Sequence, residues 1–386
     1  MAMLVNDSSI HELAEVLSDK GLDGIGRAVE IMINEAMKIE REKHLHASPH
    51  ERTEERTGYA NGYKQKVLKT RIGALNLSVP QVREGDFYPS FLERGIRSER
   101  ALRVSLAEMY IQGVSTRKVD AILQELCGFN VTSSEVSRAS KLLDDEFSAW
   151  RQRELGSFVY LILDARYEKV RQNGSVVDTA VLVAYGVDKN GVRHVLGVSL
   201  ALTEAEVHWR AFLENLVQRG LHGMQLITSD AFSGLIAAIK AVFPSVPWQR
   251  CQFHLQQNAQ AYIPKKSMKK EVAEDIRNIF NAPNRDEANR LLKMAVEKYR
   301  ELAPALSQWM EENIPDGFNV FAIKKAHQKR LRTSNLAERV NREIKRRTKV
   351  AGIFPSPASC ERLVTGVLIE ISESWETGMV YLSMAE

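Results

Sequence analysis

The sequence predicts an α/β protein: a mixed-sheet core, interrupted by an all-helical insertion and preceded by helical regions. Three observations carry this. Residues 158–163, FVYLIL, form a continuous apolar run of the kind found in a strand buried on both faces. Two Asn-Gly turns, Asn173-Gly174 and Asn190-Gly191, lead into further apolar runs at 176–187 and 192–200, which makes a three-strand meander. Beyond it, helical spacing alternates with short strand-like runs. At 386 residues, two or three domains are expected, and 44% hydrophobic with 26% charged residues is an ordinary globular balance.

No apolar run approaches the ~20 residues of a membrane helix, and the polar N-terminus lacks the apolar stretch of a signal peptide. A soluble cytoplasmic protein with no membrane partner is expected. Cys127, Cys251 and Cys360 are scattered, so they offer no disulfide framework and suit a reducing compartment.

In chain order, 10–46 reads as helix, mostly one long segment, with Ile25, Val29, Met32, Ile33 and Ala36 at helical spacing. Residues 50–63, polar and glycine-bearing, read as a linker or a DNA-tracking arm. A hairpin is expected over 67–79, closed by Pro80. From 98 to 150 the pattern gives helix in two pieces. Val119, Ile122, Leu123 and Leu126 form the inner stripe of the first, which Gly128 ends. Thr132 and Glu135 have capping-box spacing at the start of the second, which buries Val136 and Leu143 and exposes Ser134, Ser137, Arg138 and Lys141. This fits a helix-turn-helix whose second helix reads the major groove, although such pairs also occur as plain structure.

After the meander, 202–219 has helical spacing through Val207, Phe212 and Leu216. A strand at 225–228 runs into Ser229-Asp230, a helix covers 233–243, a brief strand covers 248–251, and helix resumes at Phe253. Strand, strand, strand, helix, strand, helix, strand, helix is the succession of a ribonuclease H-like core. In that topology the ends of the first and fourth strands are neighbours, which sets Asp164 beside Asp230. Residues 262–315 read as the helical insertion.

The stretch 332–349, RTSNLAERVNREIKRRTK, reads as a loop opening into a helix. Eleven Lys and Arg against two Glu lie between 324 and 350, a local +9 that exceeds the +4 of the whole chain. A polyanion such as nucleic acid is the first candidate partner; a solvated helix face is the structural alternative. Leu336, Val340 and Ile344 form its buried stripe, while Glu338 shares a face with Arg342 and Lys345. Glu343, five residues on, points elsewhere.

Asp164, Asp230 and Glu338 together form a hard-oxygen set suited to Mg²⁺ or Mn²⁺. Two such ions about 3.5–4 Å apart can activate a water or a 3′-hydroxyl and stabilise the leaving oxygen of a phosphodiester. Arg332, Arg339, Arg342, Lys345, Arg346 and Arg347 would hold the DNA backbone against the cluster. Each carboxylate also has a structural use: Asp230 as a turn residue, Glu338 as the partner of Asn335 in a capping box. Cys251 and His254 are too few ligands for a structural zinc. His254 belongs beside the site, in contact with a scissile phosphate or a carboxylate, or serves structure alone.

Several motifs resemble the Mutator-type transposases of bacterial insertion sequences, DDE enzymes with a ribonuclease H-like core. They are Asp164-Ala165-Arg166-Tyr167 with Lys169-Val170-Arg171; Asp230-Ala231-Phe232-Ser233-Gly234-Leu235; Cys251-Gln252-Phe253-His254 with Asn258; and Arg332 to Arg339 continuing through Arg347-Thr348 to Phe354-Pro355. Gly58-Tyr59-Ala60-Asn61-Gly62-Tyr63 and the following hairpin also resemble that family. Asp230 follows Asp164 by 66 residues, and Glu338 follows Asp230 by 108, in keeping with an insertion before the glutamate. Gln257 departs from the family, where arginine is frequent, and Gln81-Val82-Arg83 replaces a more basic turn.

The resemblance implies that Asp164, Asp230 and Glu338 are the catalytic, metal-binding triad and that the Cys251 to His254 element is accessory. It implies a transposase that binds terminal inverted repeats, cleaves to expose a 3′-hydroxyl and joins it to target DNA, as a dimer or larger assembly on double-stranded DNA. A nuclease that never joins, or an inactive helix-turn-helix regulator, are the alternatives. The expected organisation is 1–65 helical region and linker, 66–97 hairpin region, 98–150 helix-turn-helix, 155–262 core, 263–320 insertion, and 321–386 core completion.

Overall fold

The computed structural model describes residues 7–83 and 85–384. The chain divides into two compact units, 1–142 and 143–386.

In the first unit, the helical stretch expected over 10–46 is divided into α1 (Asp7–Lys20) and α2 (Ile25–Leu45). Gly21 at φ +52° breaks it, and Gly24 packs so closely that a Cβ would lie 2.8 Å from the Val16 carbonyl. Only glycine accepts both conditions at low cost. The face of α2 that is buried runs through Ala28, Ile31 and Met37, whereas Ile25 and Met32 are exposed. The hairpin β1 (Ala60–Thr70) and β2 (Gly73–Val82) is longer than expected at both ends. Pro80 lies within it opposite Tyr63, and the Gly-Tyr-containing arm supplies the start of β1. Leu75, Leu77 and Val79 pack with Met37.

Residues 98–142 hold three helices: α3 (Arg100–Ile111), α4 (Thr116–Cys127) and α5 (Ser133–Ser140). Gly128 ends α4 with φ +68°, and the Thr132–Glu135 capping box opens α5. Leu102, Leu106, Val119, Leu123 and Val136 share one core. Ile122 and Leu126 are exposed, a correction to the expected stripe, because a strip two residues wide suffices to seat so short a helix. Leu143 lies beyond α5, in the second unit.

That unit opens with α6 (Asp144–Gln152), whose Asp144 pairs with buried Arg362 at 2.5 Å. Its sheet comprises β3 (Phe158–Gln172), β4 (Ser175–Asp188), β5 (Arg193–Ala201), β6 (Leu226–Ser229) and β7 (Trp248–Arg250), in the order β5-β4-β3-β6-β7. The β3–β4 and β4–β5 pairings are antiparallel; β3–β6 and β6–β7 are parallel. This is a mixed α/β architecture with a central sheet flanked by helices.

Helix α7 (Glu206–Gln218) and α8 (Ser233–Val242) cover one face, where Leu161, Leu163, Ile227, Trp209, Leu213 and Ile239 form a core. Of the helically spaced Val207, Phe212 and Leu216, Val207 is 65% exposed, and the inner face of α7 runs through Trp209, Phe212, Leu213 and Leu216. After α9 (Gln252–Ala259), the helices α10 (Lys269–Phe280), α11 (Arg285–Leu302) and α12 (Pro304–Asn313) build a separate helical core around Ile276, Ile279, Leu292 and Leu306. Then α13 (Lys325–Leu331), α14 (Asn335–Thr348) and α15 (Pro357–Glu376) complete the unit, and Phe354, after α14, bridges back to Val170 of β3. Among the described residues, no helix is long and apolar enough to cross a membrane.

Leu213 is fully buried between α7 and the sheet. Leu213→Ala is expected to cost about 2–5 kcal/mol, read as a fall in the urea midpoint of the transition that reports the sheet.

Candidate active site

Strand alternation decides which side chains meet. On β3, Tyr160, Ile162 and Asp164 share one face, and Leu161 and Leu163 point to the α7–α8 side. Parallel pairing sets Tyr160 opposite Leu226 and Ile162 opposite Thr228. Carried two residues further, past the end of β6 at Ser229, this register brings Asp164 level with Asp230, and the Asp230 charge reaches Asp164. Asp164 is not the end of its strand, as the sequence suggested: β3 continues to Gln172 paired with β4, and only its pairing with β6 stops before Asp164. The apolar run ended there because the sheet opens on one side at that point.

Several hydrogen bonds bring α14 to this face. Thr228 Oγ1 donates to the Leu331 carbonyl at 2.8 Å, and the Gln252 N–H to the Arg332 carbonyl at 2.9 Å. Ser334 donates through both N–H and Oγ to Cys251 Sγ, each at 3.3 Å. One turn after Glu338, Asn341 Nδ2 donates to Asp164 Oδ2 at 2.5 Å, and Arg166 donates to the Asn341 carbonyl. Arg166 also pairs with Glu168 at 2.6 Å, and Glu168 accepts from Thr348 Oγ1 at 3.1 Å. Ser334 caps α14 without a side-chain bond, so Glu338 completes no capping box. Asn341 was legible in principle, since it stands three residues after Glu338 on the same helical face. Arg166 carried no separate signal of this role.

His254 Nδ1 lies against Asp230 Oδ1. Its pKa is raised to about 10, first by the bond to Asp230 and then by the bond to Cys251, with burial opposing. Burial pushes the Cys251 thiol up, but the bonds from His254 and Ser334 outweigh it and the net shift is downward. Asp164 is raised to about 7, by burial first and the Asp230 charge second, against the Asn341 bond and the His254 charge. A divalent cation beside the two carboxylates would favour their charged forms further.

Do the residues suit a divalent cation? Glu338 Oε1 is buried and has no hydrogen-bond partner, a costly state for a carboxylate oxygen that coordination would relieve. The closest group of potential ligand atoms among the described residues is Asp230, Cys251 and His254, all within 4.8 Å of one another, and that group could hold a metal ion. Asp164 and Glu338 stand outside it. Cys251 is fully buried and already accepts two bonds from Ser334, whereas the carboxylates supply the hard oxygens that Mg²⁺ and Mn²⁺ prefer.

Of the expected DNA contacts, Ser134, Arg138 and Lys141 in the first unit are exposed and Ser137 is half-buried. In the second, Arg339, Arg342, Lys345 and Arg346 are exposed, Arg346 being paired with Glu343 at 2.6 Å. Arg332 is half-buried and donates to Asn281 Oδ1 at 2.7 Å. Arg347 is a correction: it is 4% exposed and held by Glu370 at 2.6 Å and Glu343 at 3.0 Å, so it anchors α14 to α15. Its place three residues after Ile344, on the buried stripe, is the sequence signal that net charge obscured.

A profile of the "Transposase, Mutator family" matches residues 4–378. The chain belongs to that family. It is accordingly an enzyme, a DNA transposase. It is 53% identical over 385 residues to the transposase for insertion sequence element IS406 of Burkholderia multivorans, covering 99% of each chain. It is 42% identical to the transposase for ISRM5 of Rhizobium meliloti, covering 94% of this chain and 91% of that one. To the transposase for IS256 in transposon Tn4001 of Staphylococcus aureus it is 38% identical, over 89% of both.

The raised Asp164 pKa has a sign that can be checked in the transposase. A carboxyl bound more tightly to its proton when folded costs nothing below about 3.8, costs progressively more up to about 7, and costs in full above it. Asp164→Asn should therefore stabilise the chelator-treated protein at pH 8, by up to about 4 kcal/mol, and do less at pH 5. Equal thermal shifts at the two pH values would contradict the assignment.

Proposed function

We propose that the second unit is a ribonuclease H-like core in which Asp164, Asp230 and Glu338 form the catalytic triad of a DDE transposase. The protein binds terminal inverted repeats, cuts the element end to expose a 3′-hydroxyl and joins that hydroxyl to target DNA, acting as a dimer or larger assembly on DNA. What carries the reading is the levelling of Asp164 with Asp230 on the sheet face that α14 covers, with an unpartnered Glu338 oxygen buried on that helix.

Held by these three carboxylates, Mg²⁺ or Mn²⁺ would supply activation of the attacking oxygen and charge neutralisation at the phosphodiester. The chain's own residues orient the site. Asn341 fixes the direction of Asp164, and Arg166 fixes Asn341. Protonated His254 neutralises Asp230 and offers a positive charge to a phosphate. Arg339, Arg342 and Lys345 position the strand through its backbone, which contributes no sequence preference. In the first unit, Ser134, Ser137, Arg138 and Lys141 present the polar face of α5 to a major groove.

The decisive assay incubates labelled terminal-repeat duplex and target DNA with and without Mg²⁺. Joined product from wild type that disappears for Asp164→Asn supports strand transfer. Nicking alone would favour the nuclease, and binding without either would favour the regulator. Calorimetric titration with Mn²⁺ addresses the ligands: binding lost in Glu338→Gln and kept in Cys251→Ala is expected, and the reverse would assign the ion to the Asp230, Cys251 and His254 group. Asn341→Ala should lower metal affinity or joining about 10–100-fold, the usual cost of losing an orienting partner, with little change in thermal midpoint.

A further inference from the structure

Within the first unit, β1 and the segment 85–97 enclose a cavity of about 660 Å³. Among the described residues, Lys64, Lys66, Arg94 and Arg97 line it against one carboxylate, Asp86. Lys64 and Lys66 are two residues apart on β1, hence on one face and ~6.6 Å apart along the strand, close to the step between successive phosphates of a DNA strand. Their charge is held in place. Lys66 Nζ donates to Tyr88 Oη at 2.9 Å and to the Glu93 carbonyl at 3.1 Å, and the Arg94 guanidinium lies 5.2 Å from the centre of the Tyr88 ring. Tyr88 thus fixes two cations, which reduces the side-chain entropy lost when an anion arrives. Asp86 competes for Arg94 at 2.5 Å, but that pair is exposed and contributes little. Lys64 and Arg97 have no ion-pair partner among the described residues.

A single small anion would need only part of this wall. A second cavity, of about 520 Å³, shares Gly95, Ile96 and Arg97 with the first and continues past Arg103 to Arg138 on α5. Through these shared residues, basic side chains extend from the hairpin to the exposed helix of the helix-turn-helix, with Lys69 neutralised by Glu135 at 2.8 Å along the way. The length and repeated positive charge of this path match a polymer of phosphates, while the apolar part of its lining suits deoxyribose.

We propose that this path seats the sugar–phosphate backbone of the DNA duplex that α5 contacts, and so extends the footprint of the first unit onto the flanking segment. The proposal rests on the DNA reading above, but the residues that test it, Lys64 and Arg97, have no part in the triad or the α5 contacts. Because phosphates carry no sequence, the cavity should add affinity equally to any duplex.

The test uses the full-length protein, with a labelled terminal-repeat duplex and a random duplex of equal length, over about 50–200 mM NaCl. For Lys64→Gln with Arg97→Gln, the slope of log affinity against log salt should fall by about 1–2, with roughly tenfold weaker binding of both duplexes. Lys64→Arg with Arg97→Lys should restore both, which a folding defect would not allow. Arg138→Ala serves as the control on α5. If Arg138→Ala weakens binding while the Gln variants keep wild-type slope and affinity, DNA binding stands and the cavity proposal falls. If wild type binds neither duplex, both fall.

Discussion

The face that carries Asp164 and Asp230 depends on a few parallel bridges between β3 and β6. They set Ile162 against Thr228, and everything beyond follows from the two-residue period of a strand. Shifting that register by one residue would send either aspartate to the side filled by Trp209, Leu213 and Ile239, where a carboxylate has no partner. The apolar core on one face thus specifies the alignment of polar groups on the other. Asp164 and Asp230 bear the electrostatic consequence, since burial and mutual repulsion raise the Asp164 pKa to about 7.

Helix α14 reaches this face through bonds that are mostly not its own apolar contacts. Leu336, Val340 and Ile344 seat it, but the strand side is set by Arg166, Glu168, Asn341 and Thr348, and the loop before it by Thr228, Gln252 and Cys251. Cys251 has a double part: it receives Ser334 at the start of α14 and its element delivers His254 to Asp230. A buried thiol with two donors is a structural acceptor before it is anything else. The basic run in α14 is likewise divided, with Arg347 spent on Glu370 and Arg342 and Lys345 left at the surface.

In the first unit the chain solves a smaller problem. A two-stranded hairpin is marginal by itself, and here Leu75, Leu77 and Val79 gain their cover from Met37 on α2. Gly21 and Gly24 let α1 turn away so that α2 can supply it. The outer part of β1 is left exposed and basic, which a chain folding for stability alone has no reason to keep.

The order of elements in the core, the two Asn-Gly turns, the capping box of Thr132 and Glu135 and the candidate carboxylates were all legible in the sequence. Each depends on local periodicity or on the chemistry of a few adjacent residues. What the sequence could not supply was set by groups distant along the chain. Asp164 looked like a strand end because its apolar run stops there, yet β4 keeps the strand going. Arg347 counted as a DNA contact until Glu370 was beside it. Asn341 had no visible partner until β3 and α14 were brought together. Periodicity determined which residues could face inward; only tertiary packing decided what each of them would meet, because a charge or an amide takes its role from its nearest partner in space.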